Sequence, residues 1–404
     1  MNEKLFSRLE EIYPELVAFR RDLHMYPELS HTEVDTPEKI ADFLTDLGLE
    51  VKTGVGGRGV VGIIKGSKPG KTVALRADFD ALPIQDEKDV EYKSRVPGIM
   101  HACGHDLHTA GLLGVAKVLS ENRDVLEGNV VFIHQFAEEV IPGGAKFMIE
   151  DGCLDGVDVV YGAHVSSTEL LGSVGLNEGN AMANGDTFEI EISGKGGHAA
   201  SPHLGIDPLI VGSQLLLNLQ QIVSRQVDPI KSAVVSVTSF NGGEGFNVIP
   251  DKVQIKGTVR TFDDDVRDWI EESIEKIAVS TSSGFGASVK YKYVRGYPAV
   301  VNHPEETERI KNIAAGLFGE KKVKYIPPQM GMEDFAYYLK EVPGTFFWVG
   351  GAMEKKSNVY PHHHPKFNVQ EKAMMYIGKL FISAVLDYLS GKENQVLREK
   401  ESSK

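Results

Sequence analysis

The chain has 404 residues, too many for one average domain and enough to bury two cores. Its formal net charge of -14 argues against nucleic acid and anionic membrane as partners, because like charges repel and no basic run reverses the sign locally. The two cysteines, Cys103 and Cys153, allow at most one bridge that a chain of this size does not need, so free thiols or a metal ligand in a reducing compartment are expected. The charged start Met1-Asn2-Glu3-Lys4-Leu5 lacks the apolar core of a signal peptide, and no apolar run reads as long enough to span a bilayer; a cytoplasmic location is the expectation.

In chain order, residues 3–23 carry Leu5, Leu9, Ile12, Leu16, Phe19 and Leu23 at helical spacing and predict one amphipathic helix. Pro27 ends it, and Ser30-x-x-Glu33 reads as a capping box that starts a second helix through Phe43 and Leu47. Short apolar, β-branched runs at 59–64 and 72–76, a small-residue helix at 109–119 and further strands at 130–134 and 157–163 then alternate. This alternation predicts an α/β domain built on a doubly wound, mostly parallel sheet. From about residue 186 the texture changes to a strand at 188–192, a helix at 207–225, strands at 233–240 and 252–262, a helix at 265–280 and a strand at 287–294. That β-α-β-β-α-β order is that of an α+β ferredoxin-like unit. The α/β texture returns with helices at 305–317 and 333–339, a strand at 345–349 and a closing helix at 371–389. The expected division is a domain of residues 1–185 and 297–404 with residues 186–296 inserted, since exposed loops tolerate insertions. The charged tail 391–404 is expected to fray.

In doubly wound sheets ligands gather at the carboxyl ends of the strands. There the chain places Asp78 and Asp80, Glu138 and Glu139, and His164, and ahead of the 109–119 helix it packs His101, Cys103, His105, Asp106 and His108 into one loop. A capping loop with surface histidines is the bland alternative, but three histidines beside carboxylate pairs on separate strands weigh against it. A cysteine nucleophile needs its base across a cleft, a nucleobase deaminase needs H-x-E with P-C-x-x-C, and a structural zinc site needs more cysteine. A metal bound by mixed sulfur, nitrogen and oxygen ligands, with room for water, fits best. Adjacent carboxylates on an extended segment diverge, so one of Glu138 and Glu139 can hold metal while the other serves as general base. Asp78 and Asp80 share a side of their segment, where one can ligate or orient a ligand, with an ion pair to Arg76 the nearly equal alternative for Asp78. The glycine-rich stretch 193–203 lacks phosphate-loop spacing, and its His198 reads as a donor for an oxyanion.

The combined stretches resemble the M20 metallopeptidase and amidohydrolase family, in its aminoacylase, hippurate hydrolase and auxin-conjugate amidohydrolase branch. They are Arg20-Arg21-Asp22-Leu23-His24 with Pro27-Glu28-Leu29-Ser30, residues 76–83, residues 100–108, Gln135-Phe136-Ala137-Glu138-Glu139, residues 194–202, Asn247-Val248-Ile249-Pro250-Asp251, Gly331-Met332-Glu333-Asp334-Phe335 and His363-His364-Pro365-Lys366-Phe367, in family order over nearly the whole chain. The resemblance implies two divalent metal ions, of zinc, manganese, cobalt or nickel, held by Cys103, His105, Glu139, His164 and His363. His363 is chosen among His362, His363 and His364 by the H-x-P-x-F alignment. It implies Glu138 as general base, His198 and Asp80 as further catalytic residues, and Asn247 and Arg260 as substrate contacts. The chain departs from the wider family at Asp78, where a histidine is usual, at Cys103, where an aspartate is usual, and from the branch at Phe136, Val140 and Ile141. The implied function is metal-dependent hydrolysis of the amide bond of an N-acyl amino acid to a carboxylic acid and a free amino acid. A carboxypeptidase or dipeptidase using the same site is the alternative, and a retained base argues against a non-catalytic binder. In this family the inserted lid pairs subunits, so a homodimer or homotetramer is expected, with His198 serving the neighbouring site.

Overall fold

The computed structural model describes residues 2–391, in two compact units. The tail residues 392–404 lie outside the described residues. One unit comprises Met1–Ala181, Val300–Pro327 and Asp334–Lys404, the other Met182–Ala299 and Pro328–Glu333.

In the first unit, strands rich in Val, Ile and Ala are buried on both faces, as a helix-covered parallel sheet requires. β1 (Glu50–Val55), β2 (Gly59–Lys65), β3 (Lys68–Asp78), β4 (Glu127–Gln135) and β5 (Val159–Ser166) join strands Val174–Leu176, Val323–Tyr325 and Gly344–Gly350. The order across the sheet is β1, β2, β4, β3, β5, Gly344–Gly350, Val174–Leu176, Val323–Tyr325. The central run β4, β3, β5, Gly344–Gly350 is parallel, and antiparallel pairs flank it. Every residue of β5 is buried, which fixes the middle of the core. The domain is therefore α/β on a large, mostly parallel sheet.

Helices α1 (Asn2–Glu11), α2 (Tyr13–Met25), α3 (Asp35–Asp46) and α4 (His105–Ser120) lead up to a closing helix, Ala373–Ser390, and among these helices local reading falls short at three points. The single helix predicted over 3–23 breaks at Ile12, because Pro14 lacks the N–H that a continuous helix needs and instead starts α2. The Ser30 to Glu33 capping box does not form. The Ser30 hydroxyl donates to Asp80 Oδ2 at 2.6 Å and Glu33 Oε1 accepts the Ala137 N–H at 3.0 Å, so tertiary partners outbid the local cap. The start of α3 is held by Glu28, whose carboxylate accepts the N–H groups of Val34, Asp35 and Thr36 at 2.8, 3.1 and 2.8 Å. Finally, the closing helix Ala373–Ser390 is long and apolar enough by length and composition to cross a bilayer, contrary to the sequence reading. It is 67% buried and packs on α1, α4 and β3, as a core helix does.

In the second unit, strands Asn184–Ser193, Ala233–Asn241, Lys252–Thr261 and Ser288–Arg295 form an antiparallel sheet with Ala233–Asn241 and Ser288–Arg295 at its edges. Helices Pro208–Gln221 and Asp264–Gly284 bring Leu215, Leu219, Ile270 and Ile274 into one buried cluster with Ile190, Ile192, Val253 and Ile255 of the sheet. Strand order and helix placement are those of a β-α-β-β-α-β chain. The unit also includes Pro328–Glu333, which the sequence reading gave to the first domain, because Ala183 N–H bonds to the Gln329 carbonyl at 2.9 Å.

Candidate metal centre and active site

Three strand ends and one helix start bring their side chains together at the carboxyl edge of the first unit's sheet. β3 ends at Asp78 and runs on to Asp80, β4 runs on to Glu138 and Glu139, β5 carries His164, and α4 begins at His105, two residues after Cys103. Gly104, at φ 101°, makes the turn into α4, and a Cβ there would lie 2.5 Å from Val165 Cγ1. Only glycine lets the loop lie against β5. Ala137 (φ 51°) and His363 (φ 64°) are left-handed without being glycine, a costly conformation that is over-represented at functional sites.

The donor atoms face one another. Cys103 Sγ lies 3.4 Å from His164 Nε2 and 3.7 Å from His362 Nδ1. His105 Nε2 lies 3.9 Å from Glu139 Oε1, which is 3.3 Å from His363 Nε2. Candidate ligand atoms of Cys103, His105 and Glu139 lie within 4.8 Å of one another, as do those of Cys103, His164 and His362. Both sets share the thiol. His105 Nε2 and Glu139 Oε1 are buried with no hydrogen-bond partner among the described residues. Such orphaned groups are costly unless something pairs with them, and two lone-pair donors aimed at one point fit a cation.

The rings are held from behind. His105 Nδ1 meets Asp80 Oδ1 at 3.1 Å and the Asp80 carbonyl at 3.0 Å, which puts the hydrogen of the neutral ring there and turns Nε2 toward the other donors. His164 Nδ1 donates to the Val165 carbonyl at 2.8 Å, with the same result. Asp80 Oδ2 also accepts the Glu139 N–H at 3.0 Å, so Asp80 orients two candidate ligands. His108 is fully used, Nδ1 toward Asp78 at 2.7 Å and Nε2 accepting the Val165 N–H at 3.0 Å. It is not free to ligate.

Electrostatics favour positive charge at this point. Burial opposes ionisation of His105, but Asp78, Asp80 and Glu139 outweigh it and raise the imidazole to about 10. Burial and then the neighbouring imidazoles push His164 well below the ordinary histidine range, toward the neutral, ligating form. Burial works against the charge of Asp78, yet Arg76, His105 and His108 hold it well below the usual carboxylate range.

Glu138 is buried, 7% exposed, and a carboxylate oxygen of it lies within 4.8 Å of one of Asp334. Its neighbour Glu139 faces the histidines, so the two glutamates do diverge. Asp334 is fixed by Arg76 Nη2 at 2.9 Å, by Gln135 Nε2 at 2.7 and 2.8 Å and by the Ala145 N–H at 3.1 Å. Gly143 (φ 79°) passes so close that a Cβ would lie 2.3 Å from Asp334 Oδ2. The same Arg76 holds Asp78 through Nη1 at 2.5 Å, which is the ion pair considered from sequence.

His198, Asn247 and Arg260 belong to the second unit. His198 is exposed on a two-stranded ribbon opposite Val248, and the Ala199 N–H bonds to the Asn247 carbonyl at 3.0 Å, so these two residues are neighbours. His198 Nδ1 accepts the Ala200 N–H at 3.0 Å, which leaves Nε2–H as the outward donor. Arg260 is apart from them, at the far end of the strand Lys252–Thr261 and half-buried, with Nη1 bonded to Thr258 Oγ1 and the Val259 carbonyl.

Two sets of residues escaped sequence reasoning. His362 approaches Cys103, although the alignment gave it no role. Arg20, His24, Asp86 and Asp106 form a fully buried charge network beside the loop: Asp106 Oδ2 meets Arg20 Nε at 2.8 Å and His24 Nδ1 at 2.7 Å, and His24 Nε2 lies 3.4 Å from Asp86 Oδ2. Charged residues in an otherwise apolar helical stripe at 20 and 24 were the available signal.

Comparison with known proteins gives the same picture. The profile of peptidase family M20/M25/M40 matches residues 74–387. YhaA of Bacillus subtilis, named an amidohydrolase, is 53% identical over 96% of this chain and 98% of its own length. The N-acyl-L-amino acid amidohydrolase of Geobacillus stearothermophilus is 45% identical over 76% of this chain and 83% of its own, and thermostable carboxypeptidase 1 of Saccharolobus solfataricus is 43% identical over 92% and 95%. Among solved structures, Bacillus subtilis YXEP, described as a dinuclear metal binding peptidase, matches with a TM-score of 0.81 and 36% identity over 94% of this chain and 99% of its own.

Proposed function

This chain belongs to peptidase family M20/M25/M40, and we propose that it is a metal-dependent amidohydrolase cleaving N-acyl amino acids to a carboxylic acid and a free amino acid. The observation that carries this reading is the pair of orphaned buried donors, His105 Nε2 and Glu139 Oε1, facing each other beside the Cys103 thiol with Glu138 next in the chain. Cys103, His105, Glu139, His164 and His363 would hold two divalent ions, and zinc, manganese, cobalt and nickel all suit this donor set. When bound, the ions supply Lewis acidity and lower the pKa of water.

The chain's own residues do the rest. Glu138 takes the proton of the attacking water and returns it to the amide nitrogen as the C–N bond breaks. Asp80 holds His105 and the Glu139 backbone in place; it is a positioning residue in this scheme. His198 offers its Nε2–H to the oxyanion, and Asn247 and Arg260 contact the substrate carbonyl and carboxylate. The second unit acts as a lid and pairs subunits into a homodimer or homotetramer, in which His198 serves the neighbouring centre. Cys103 and Cys153, which form no disulfide, support a reducing, cytoplasmic location.

The carboxypeptidase relative favours a second reading in which the acyl group is a peptide. A substrate panel separates the two. N-acetyl and N-benzoyl amino acids are expected to turn over faster than dipeptides with free N-termini, and the reverse order would replace the first reading by the second.

A further inference from the structure

The three consecutive histidines have three different settings. His363 faces Glu139, as described. His364 stacks on Tyr360, ring centroids 4.6 Å apart, and its Nδ1 accepts the Lys366 N–H at 3.0 Å, so it shapes the loop. His362 turns inward. Its ring is held between His164, at 5.1 Å and an interplanar angle of 73°, and Phe367, at 5.0 Å.

The two nitrogens of His362 have unlike neighbours. Nε2 lies 3.4 Å from the backbone nitrogen of Ser167, a fully buried residue, and Nδ1 lies 3.7 Å from Cys103 Sγ. A backbone N–H can only donate, so Nε2 must be the bare nitrogen. The single hydrogen of the neutral ring is then on Nδ1, on the side of Cys103, whose Sγ it faces and whose backbone also hydrogen-bonds this ring. A nitrogen that carries a hydrogen has no lone pair for a metal, which separates His362 from His164, whose inward nitrogen is bare. We propose that His362 is not a ligand but donates its Nδ1–H to the Cys103 thiolate, drawing charge off the sulfur that both candidate donor sets share. Hydrogen bonds to a ligating sulfur lower its donor strength and so tune the ion it holds. This rests on the reading of Cys103 as a metal ligand.

The cobalt(II)-loaded protein tests it, because a thiolate ligand gives a sulfur-to-cobalt charge-transfer band in the near ultraviolet whose energy follows the electron density on sulfur. His362→Phe keeps the ring packing and removes the donor; His362→Leu serves if that variant does not fold. His362→Asn keeps an N–H near the place of Nδ1. At saturating cobalt, the apolar variant is expected to keep the wild-type cobalt content with the band moved to longer wavelength, and the Asn variant to stay near wild type. An unmoved band in the apolar variant overturns the proposal, as does loss of cobalt from both variants, which would make His362 a ligand. A wild-type protein that binds cobalt without any sulfur band removes Cys103 from the ligand set, and the earlier reading and this one fall together.

Discussion

Glu138→Gln is expected to lower kcat by about 10²- to 10⁴-fold while leaving metal content and the thermal midpoint of unfolding unchanged. Glutamine has the shape of glutamate but cannot accept a proton, so the change isolates the base. The position can tolerate it because the segment is fixed by other groups. The Ala137 N–H is held by Glu33, the Glu139 N–H by Asp80, and the Ala137 carbonyl by the Gly144 N–H at 3.1 Å. None of these uses the Glu138 side chain. Glu139→Gln should behave differently: it weakens a candidate ligand and is expected to lower metal content along with rate. Paired measurements of metal content and kcat on the two variants tell base from ligand, and a Glu138→Gln enzyme with wild-type turnover would move the base elsewhere.

Arg76→Met is expected to destabilise the first unit by about 3–5 kcal/mol, read as a lower urea midpoint. The guanidinium is buried and spreads its donors over three partners: Nε to Gln135 Oε1 at 2.9 Å, Nη1 to Asp78 at 2.5 Å and Nη2 to Asp334 at 2.9 Å. Methionine fills similar space but leaves two buried carboxylates without their cation. Burial already raises Asp334 to about 6 despite the pull of Arg76 and Gln135, so without Arg76 it is expected to take up a proton near neutral pH. Arg76→Lys should recover only part of the loss, because an ammonium lacks the planar fork that reaches three groups. The effect extends to the site, since Asp78 holds His108 and stands 3.7 Å from His105 Nε2, and Asp334 neighbours Glu138. A midpoint within error of wild type would show that the two carboxylates find other partners.

Much of this arrangement can be read from the chain alone, for a physical reason. Cys103, His105, Glu139 and His164 stand directly at strand ends or a helix start, so once strands and helices alternate, their positions follow. The β-α-β-β-α-β unit is legible because its buried residues keep strict period, as in Lys252–Thr261. What cannot be read locally depends on distant partners. Ser30 and Glu33 have the spacing of a cap but are drawn to Asp80 and Ala137, while Glu28 takes their place. Arg76 looks like an ion-pair partner of Asp78, but its second carboxylate, Asp334, lies 258 residues away in sequence. The three adjacent histidines differ in backbone conformation and in what each ring meets, neither of which a run of identical residues reveals. Short strands such as Val174–Leu176 and Val323–Tyr325 have too few residues to show a period.

The most direct measurement is the rate of hydrolysis of one N-acyl amino acid before chelation, after chelation and after a divalent metal is added back. The rate is expected to be lost with the metal and restored with it, the protein staying folded throughout. Hydrolysis that continues unchanged in the metal-free protein would contradict the metal-dependent mechanism.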